Sequence, residues 1–170
     1  MNRNSIDFTA RHGYHTVLDS RHPETRNLFA QYRETWVKHQ NDSGRHNAHV
    51  MAPRLGKSKL IVVADTEAEA EKLGMDAHAV WLPHINHLTA KHGRAPLLPR
   101  LDPKDKDSVT RLVVGVPKTV LDTLLESVEE TSINYLLLVF SFGNLRPEHA
   151  MRSMELFSSE VMPRLKAQAN

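Results

Sequence analysis

Cysteine is missing from this 170-residue chain, which excludes disulfides and thiolate-held zinc and fits a reducing compartment. Long apolar runs are missing too. The opening Met1-Asn2-Arg3-Asn4-Ser5 has no apolar stretch of the secretory kind, and no run approaches the roughly 20 residues of a membrane span. The expectation is a cytoplasmic protein without a membrane partner. Aromatic residues are only 6% of the chain and do not interleave with its arginines as base-stacking platforms would, so nucleic acid is not expected as a partner. Glycine is absent from the places where two common chemistries need it. Ser141 stands between Phe140 and Phe142 instead of between the glycines of a nucleophile elbow. Leu55-Gly56-Lys57-Ser58 lacks the upstream glycine of a phosphate-cradling loop.

Histidine, by contrast, is plentiful, with eleven residues. His84 and His87 stand three apart, on one helical face if the helix survives Pro83, His78 lies six residues before His84, and His46 and His49 sit in a polar segment. No carboxylate stands at a ligand spacing from them, so surface histidines are expected and no metal. Charge is uneven: residues 1–60 hold ten Lys/Arg against five Asp/Glu, and residues 61–170 hold twelve against fifteen. A basic front suits an anionic small ligand such as a phosphate.

The pattern of apolar residues supplies the elements. Ile6, Phe8 and Ala10 mark a short helix ending at Gly13, the residue best able to take the left-handed capping conformation. Residues 14–18 read as a short strand. Pro23 opens a helix to His39 with Leu28, Phe29, Tyr32, Trp36 and Val37 on one face. Residues 41–58 read as a polar loop, and residues 59–64 as the clearest strand of the first half. Thr66 with Glu69 three residues later forms a capping box for a helix with Leu73, Ala77, Val80, Trp81, Ile85 and Leu88 on its apolar face, which Pro83 should bend or interrupt. Residues 93–109, with three prolines and a charge run, read as an irregular loop inside a single domain of residues 1–170. A helix over 117–130, a wholly apolar strand over 135–140 and a terminal helix over 147–162 follow. That last helix aligns Ala150, Met154, Phe157 and Val161, and Pro163 should stop it.

An apolar run between amphipathic helices is the mark of a parallel strand buried on both faces. Helices alternating with strands mean an α/β fold with right-handed crossovers. Only three good strands are visible, too few for a closed eight-stranded βα barrel, which takes about 250 residues.

Four stretches, in order, resemble the bacterial luciferase-like flavin-dependent monooxygenases. Ser5-Ile6-Asp7-Phe8-Thr9-Ala10-Arg11-His12-Gly13 looks like the helix after that family's fifth strand. Val62 to Ala70 looks like its seventh strand and the start of the next helix. Gly115-Val116-Pro117-Lys118-Thr119-Val120 looks like its entry to a late helix, with Lys118 in place of the commoner acid. Glu155 to Leu165 looks like its closing helix. The resemblance implies the carboxyl-terminal half of a (β/α)8 TIM barrel whose first five strands are absent, and with them the contacts to the flavin ring and the usual active-site histidine. It implies FMN as cofactor and an oxidoreductase lineage using reduced flavin and molecular oxygen, incomplete or inactive as an isolated chain. A flavin reductase is a possible partner. The alternative is a non-catalytic half-barrel module that forms a homo-oligomer or completes a barrel with a front-half partner.

By the resemblance, Ser5 and Asn2 fall where the family holds the flavin phosphate, and Arg3 would add charge. A helix amino end offers free amides and a positive pole to such an anion, although Ser5 or Asn4 also serves as an ordinary helix cap. Phe140 and Phe142 lie at the end of a barrel where substrates bind, and for Phe140 core packing is the favoured reading.

Overall fold

A computed structural model describes residues 3–18, 22–98 and 112–168. The architecture is α/β: α1 (Arg3–His12), β1 (Thr16–Val17), α2 (His22–His39), β2 (Leu55–Val63), α3 (Glu67–Lys91), β3 (Leu112–Gly115), α4 (Pro117–Thr131), β4 (Tyr135–Val139), α5 (Pro147–Leu156), a π turn (Phe157–Val161) and α6 (Met162–Gln168). β2 is the hub of the pairing. Its first residues run parallel to β1, with Thr16 opposite Leu55, and its last four run parallel to β3, with Leu60 opposite Leu112 and Val63 opposite Gly115. β4 also pairs with β2. Parallel pairings with intervening helices are the βα pattern expected from the sequence.

The chain divides into two compact units, Met1–Ser58 with Ser127–Leu137, and Lys59–Glu126 with Leu138–Asn170. In the first, Ile6 and Ala10 of α1 meet Leu28, Phe29, Tyr32 and Trp36 of α2, with Leu18, Leu55 and Ile133 completing the cluster. The i, i+4 spacing of Ile6 and Ala10, and of Leu28, Tyr32 and Trp36, turns one stripe of each helix inward. Polar ties fix the helix pair. The Asp7 carboxylate accepts from Gln31 Nε2 at 2.9 Å and from Thr35 Oγ1 at 3.0 Å, and these two bonds hold its pKa below the usual value. The Tyr32 hydroxyl donates to the Tyr14 carbonyl at 2.5 Å, and burial raises its pKa.

In the second unit, Leu60, Val62, Ala77, Leu112 and Phe142 form the core, with Leu73, Trp81, Val114 and Val139 against them. α3 lies so close to β3 that a Cβ at Gly74 would collide with the Val114 side chain. Thr66 caps α3 as expected: its hydroxyl accepts from the Glu69 amide at 3.3 Å, which is the hydroxyl half of a capping box.

Six expectations need correction. Residues 55–58 are strand, not loop, and Leu55, Gly56 and Lys57 are buried; their Gly-Lys-Ser composition hides a segment that pairs with β1. A fourth strand, β3, was not foreseen because its four residues follow a charge run without alternation. α3 runs unbroken through Pro83. The carbonyl that Pro83 cannot satisfy belongs to Ala79, an exposed residue. β4 is half-exposed along its whole length. On α5, Ser153 and Leu156 are buried with Ala150, while Met154 is 39% exposed.

Finally, Pro163 does not end the terminal helix, which continues to Gln168. The preceding turn widens instead: the Met162 amide donates to the Phe157 carbonyl five residues back. In an α-helix the Pro163 ring would press on the Ser159 carbonyl, and π turns relieve such a conflict. The Ser159 hydroxyl takes the Glu155 carbonyl at 2.8 Å, and Ser158 takes it at 2.9 Å.

Candidate functional site

At the amino end of α1, Ser5 is half-buried in the first turn and Asn4 is exposed. That turn carries no acidic residue of its own. By type, the amides of a helix's first turn and a serine hydroxyl are donors of the kind a phosphate takes. Asn2 lies outside the described residues, as does the Arg3 side chain. Asp7, the nearest acid on the helix, is committed to α2 through Gln31 and Thr35.

The carboxyl ends of β2 and β3, in the second unit, are closed by polar side chains. Glu67, in the first turn of α3, accepts from the Val116 amide at 3.3 Å and from the Thr119 hydroxyl. This carboxylate sits at the amino pole of α4, a helix with no acid in its own first turn. Gly115 makes the approach possible: it has φ of 152°, and a Cβ there would stand 2.7 Å from Glu67 Oε2. Beside it, Asp65 receives Arg152 in a fork, with Nη2 to Oδ1 at 2.6 Å and Nε to Oδ2 at 3.3 Å. The hydrogen bonds and charge of Arg152 lower the Asp65 pKa, and Asp65 raises that of Arg152. One residue along α5, buried Ser153 accepts the Val63 amide at 2.7 Å.

Past β4, Phe142 is 6% exposed and belongs to the core of the second unit. Phe140 is half-buried, its ring edge-on to Phe157 at 5.4 Å. Gly143 turns the chain with φ of 58°, and a Cβ there would collide with the Ala77 carbonyl. Ser5 belongs to the first unit, Phe140 and Phe142 to the second.

The histidines form no metal centre among the described residues. His84 and His87 are exposed, and His78 is buried beside Trp81, where desolvation lowers its pKa. One histidine grouping escaped the sequence reading. His12 and His46 stack with ring centroids 4.2 Å apart, with Phe8 and Tyr14 beside them. Below them Arg45 lies buried over the Trp36 ring, 4.0 Å from its centroid. Its Nη1 donates to the carbonyls of Ala10 and Arg11 at 3.0 and 2.9 Å, capping α1. The His12–His46 stack and the Arg45 bonds to Ala10 and Arg11 join residues more than thirty positions apart, so local spacing gives no signal of them. The only hint was a basic residue in a loop assigned no role.

A βα arrangement on a parallel sheet, occupying part of a barrel, is the class of fold these elements define. Solved structures agree. RslO1, a monooxygenase from Streptomyces bottropensis, superposes with a TM-score of 0.71 at 18% identity, over 96% of this chain and 45% of its own. The oxygenating constituent of 3,6-diketocamphane monooxygenase from Pseudomonas putida, solved with FMN, gives 0.62 at 20% identity, over 94% and 45%. In sequence, the uncharacterized protein y4wF of Sinorhizobium fredii is 32% identical over 122 residues, 70% of this chain and 35% of that protein. No family model matches the chain. The chain has the fold of the luciferase-like flavin-dependent monooxygenases, as its four quoted stretches implied. It spans just under half the length of these solved structures and about a third of the curated relative.

Proposed function

We propose that this chain supplies the carboxyl-terminal half of a luciferase-like flavin-dependent monooxygenase, and that it becomes an oxidoreductase only when the remaining strands of the barrel stand beside it. The supporting observation is β4. All five of its residues are apolar, yet none is fully buried, and Leu137 is 45% exposed. In a complete barrel a further strand and the packed interior cover such a surface.

Bound reduced FMN supplies the electrons for oxygen chemistry. This chain's own part is to hold and orient. The amino end of α1 and the Ser5 hydroxyl grip the phosphate, with Asn2 and Arg3 beside them. Phe140 and Phe142 furnish apolar wall at the substrate end. Groups drawn from several strand ends must be held together for catalysis, so the isolated chain does not turn over. A reductase delivers the reduced flavin, and the cytoplasm is the setting.

The test is a flavin fluorescence titration of the chain alone and of the chain mixed with a polypeptide carrying the front-half strands of a relative. Quenching in the mixture only is the expected result; absence of binding in both ends the proposal. The same exposed β4 favours one other reading, a non-catalytic module that pairs with itself. Sedimentation separates the two: a flavin-blind dimer at tens of micromolar selects the module, and a monomer excludes it.

A further inference from the structure

At the carboxyl end of α1, Arg11, His12, Asp42, Ser43, Gly44 and Arg45 line a cavity of about 330 Å³. That volume lies at the lower end of the range of small-molecule sites. Two polar atoms there are buried without a partner among the described residues, Arg45 Nη2 and His12 Nδ1. Arg45 is only 6% exposed, and its Nη1 is spent on the ends of α1 and α2, reaching Ala10, Arg11 and, at 3.5 Å, the His39 carbonyl. The other arm of the guanidinium is free. Buried donors, charged ones above all, are ordinarily matched by an acceptor.

We infer that this cavity binds a phosphate group, with Arg45 Nη2 and Arg11 as its cationic donors and His12 Nδ1 as a third. The one acid in the lining, Asp42, already accepts from His39 Nδ1 at 2.6 Å, so its carboxylate is not left to repel the ligand alone. His12 reports the same environment. Desolvation first, and then the positive charges of His46, Arg11 and Arg45, lower its pKa, and a bound anion offsets those charges. The charged and titratable groups around His12 are Arg11 from α1 and Asp42, Arg45 and His46 from the loop after α2, with the Phe8 ring beside it. Each phosphate oxygen accepts hydrogen bonds, and the guanidinium fork is shaped for it. This cavity is not the amino-end phosphate grip proposed for flavin: α1 has ten residues, which sets the two ends about 15 Å apart at 1.5 Å rise per residue. It holds or fails independently of the flavin reading.

The test titrates the whole chain with inorganic phosphate and, separately, with phenyl phosphate. Calorimetry measures binding, and NMR follows the His12 ring proton as pH is varied. One saturable site is expected, with the His12 titration midpoint moved upward by phosphate. Arg11→Gln, at an exposed position, weakens binding about tenfold, the scale of one charge-assisted hydrogen bond, and leaves the unfolding midpoint in place. Tighter binding of phenyl phosphate points to a phosphate ester as the natural ligand, and equal binding points to the free ion; both support the site. Because Arg45→Ala also removes the cap of α1, His12→Asn serves as the second variant and reduces the pH dependence of binding to that of the ligand's own second ionisation, at about pH 6. No saturable binding, an unmoved His12 midpoint, or unchanged affinity in Arg11→Gln overturns the inference.

Discussion

Leu60-Ile61-Val62-Val63 and Tyr135-Leu136-Leu137-Leu138-Val139 are both unbroken apolar runs, and solvent treats them differently. No residue of the first is more than 5% exposed; every residue of the second keeps some contact with water. The first has β3 along it and Ala77, Leu112 and Phe142 against Leu60 and Val62. An apolar strand thus declares that it needs cover on both faces, without saying where the cover comes from.

Substitutions can sharpen that contrast. The largest effect is expected at Gly143, where Ala meets a left-handed backbone and the Ala77 carbonyl together. Strain of about 1–2 kcal/mol from the backbone and about 1–3 from overpacking give a loss of about 2–5 kcal/mol in urea unfolding. Ile61→Ala, at a residue with no exposure, costs about 3 kcal/mol. Leu137→Ala, at the corresponding chemistry on β4, costs less than about 1 kcal/mol by the same measurement, since much of that side chain is already wet. If the two truncations cost alike, β4 is covered in solution and the contrast collapses.

Acid probes the polar ties. The Asp7 pKa is lowered from its ordinary value of 3.8, so its stabilisation is present above that value and is lost as pH falls through the lower folded value. Asp7→Asn should therefore lower stability near neutrality, where the carboxylate contributes in full, and flatten the stability profile below about pH 4, where the two proteins converge. The smallest effect is at Ser132, which ends α4 with φ of 54°. Ser132→Gly relieves that conformation and should raise the unfolding midpoint by a degree or a few, about 0.5–1 kcal/mol.

What the sequence made legible was local. Gly13, with φ of 81°, ends α1 where foreseen, and Thr66 with Glu69 starts α3, because caps are decided within four residues. The βα order followed from alternation, and the fold from four stretches with their own turn and cap chemistry. What stayed hidden depends on distant partners. β2 was foreseen only from Lys59 onward, because pairing with β1, and not composition, makes Leu55 to Ser58 a strand. The amino-end expectation at Ser5 came from the motif, whereas the cavity at the other end of α1 depends on Arg45 crossing to Ala10 and Arg11. No periodicity records such a crossing.

The widened turn at Phe157–Val161 bears on how this helix tolerates length changes. It accommodates one residue beyond what regular winding would hold, so it is the place where a single-residue deletion does least harm to the segment before it. Such a deletion would return the turn to regular winding, leave Met162 to Gln168 close to their present phase, and drive the ring of Pro163 back against the backbone. A chain shortened there should fray from that proline to its end.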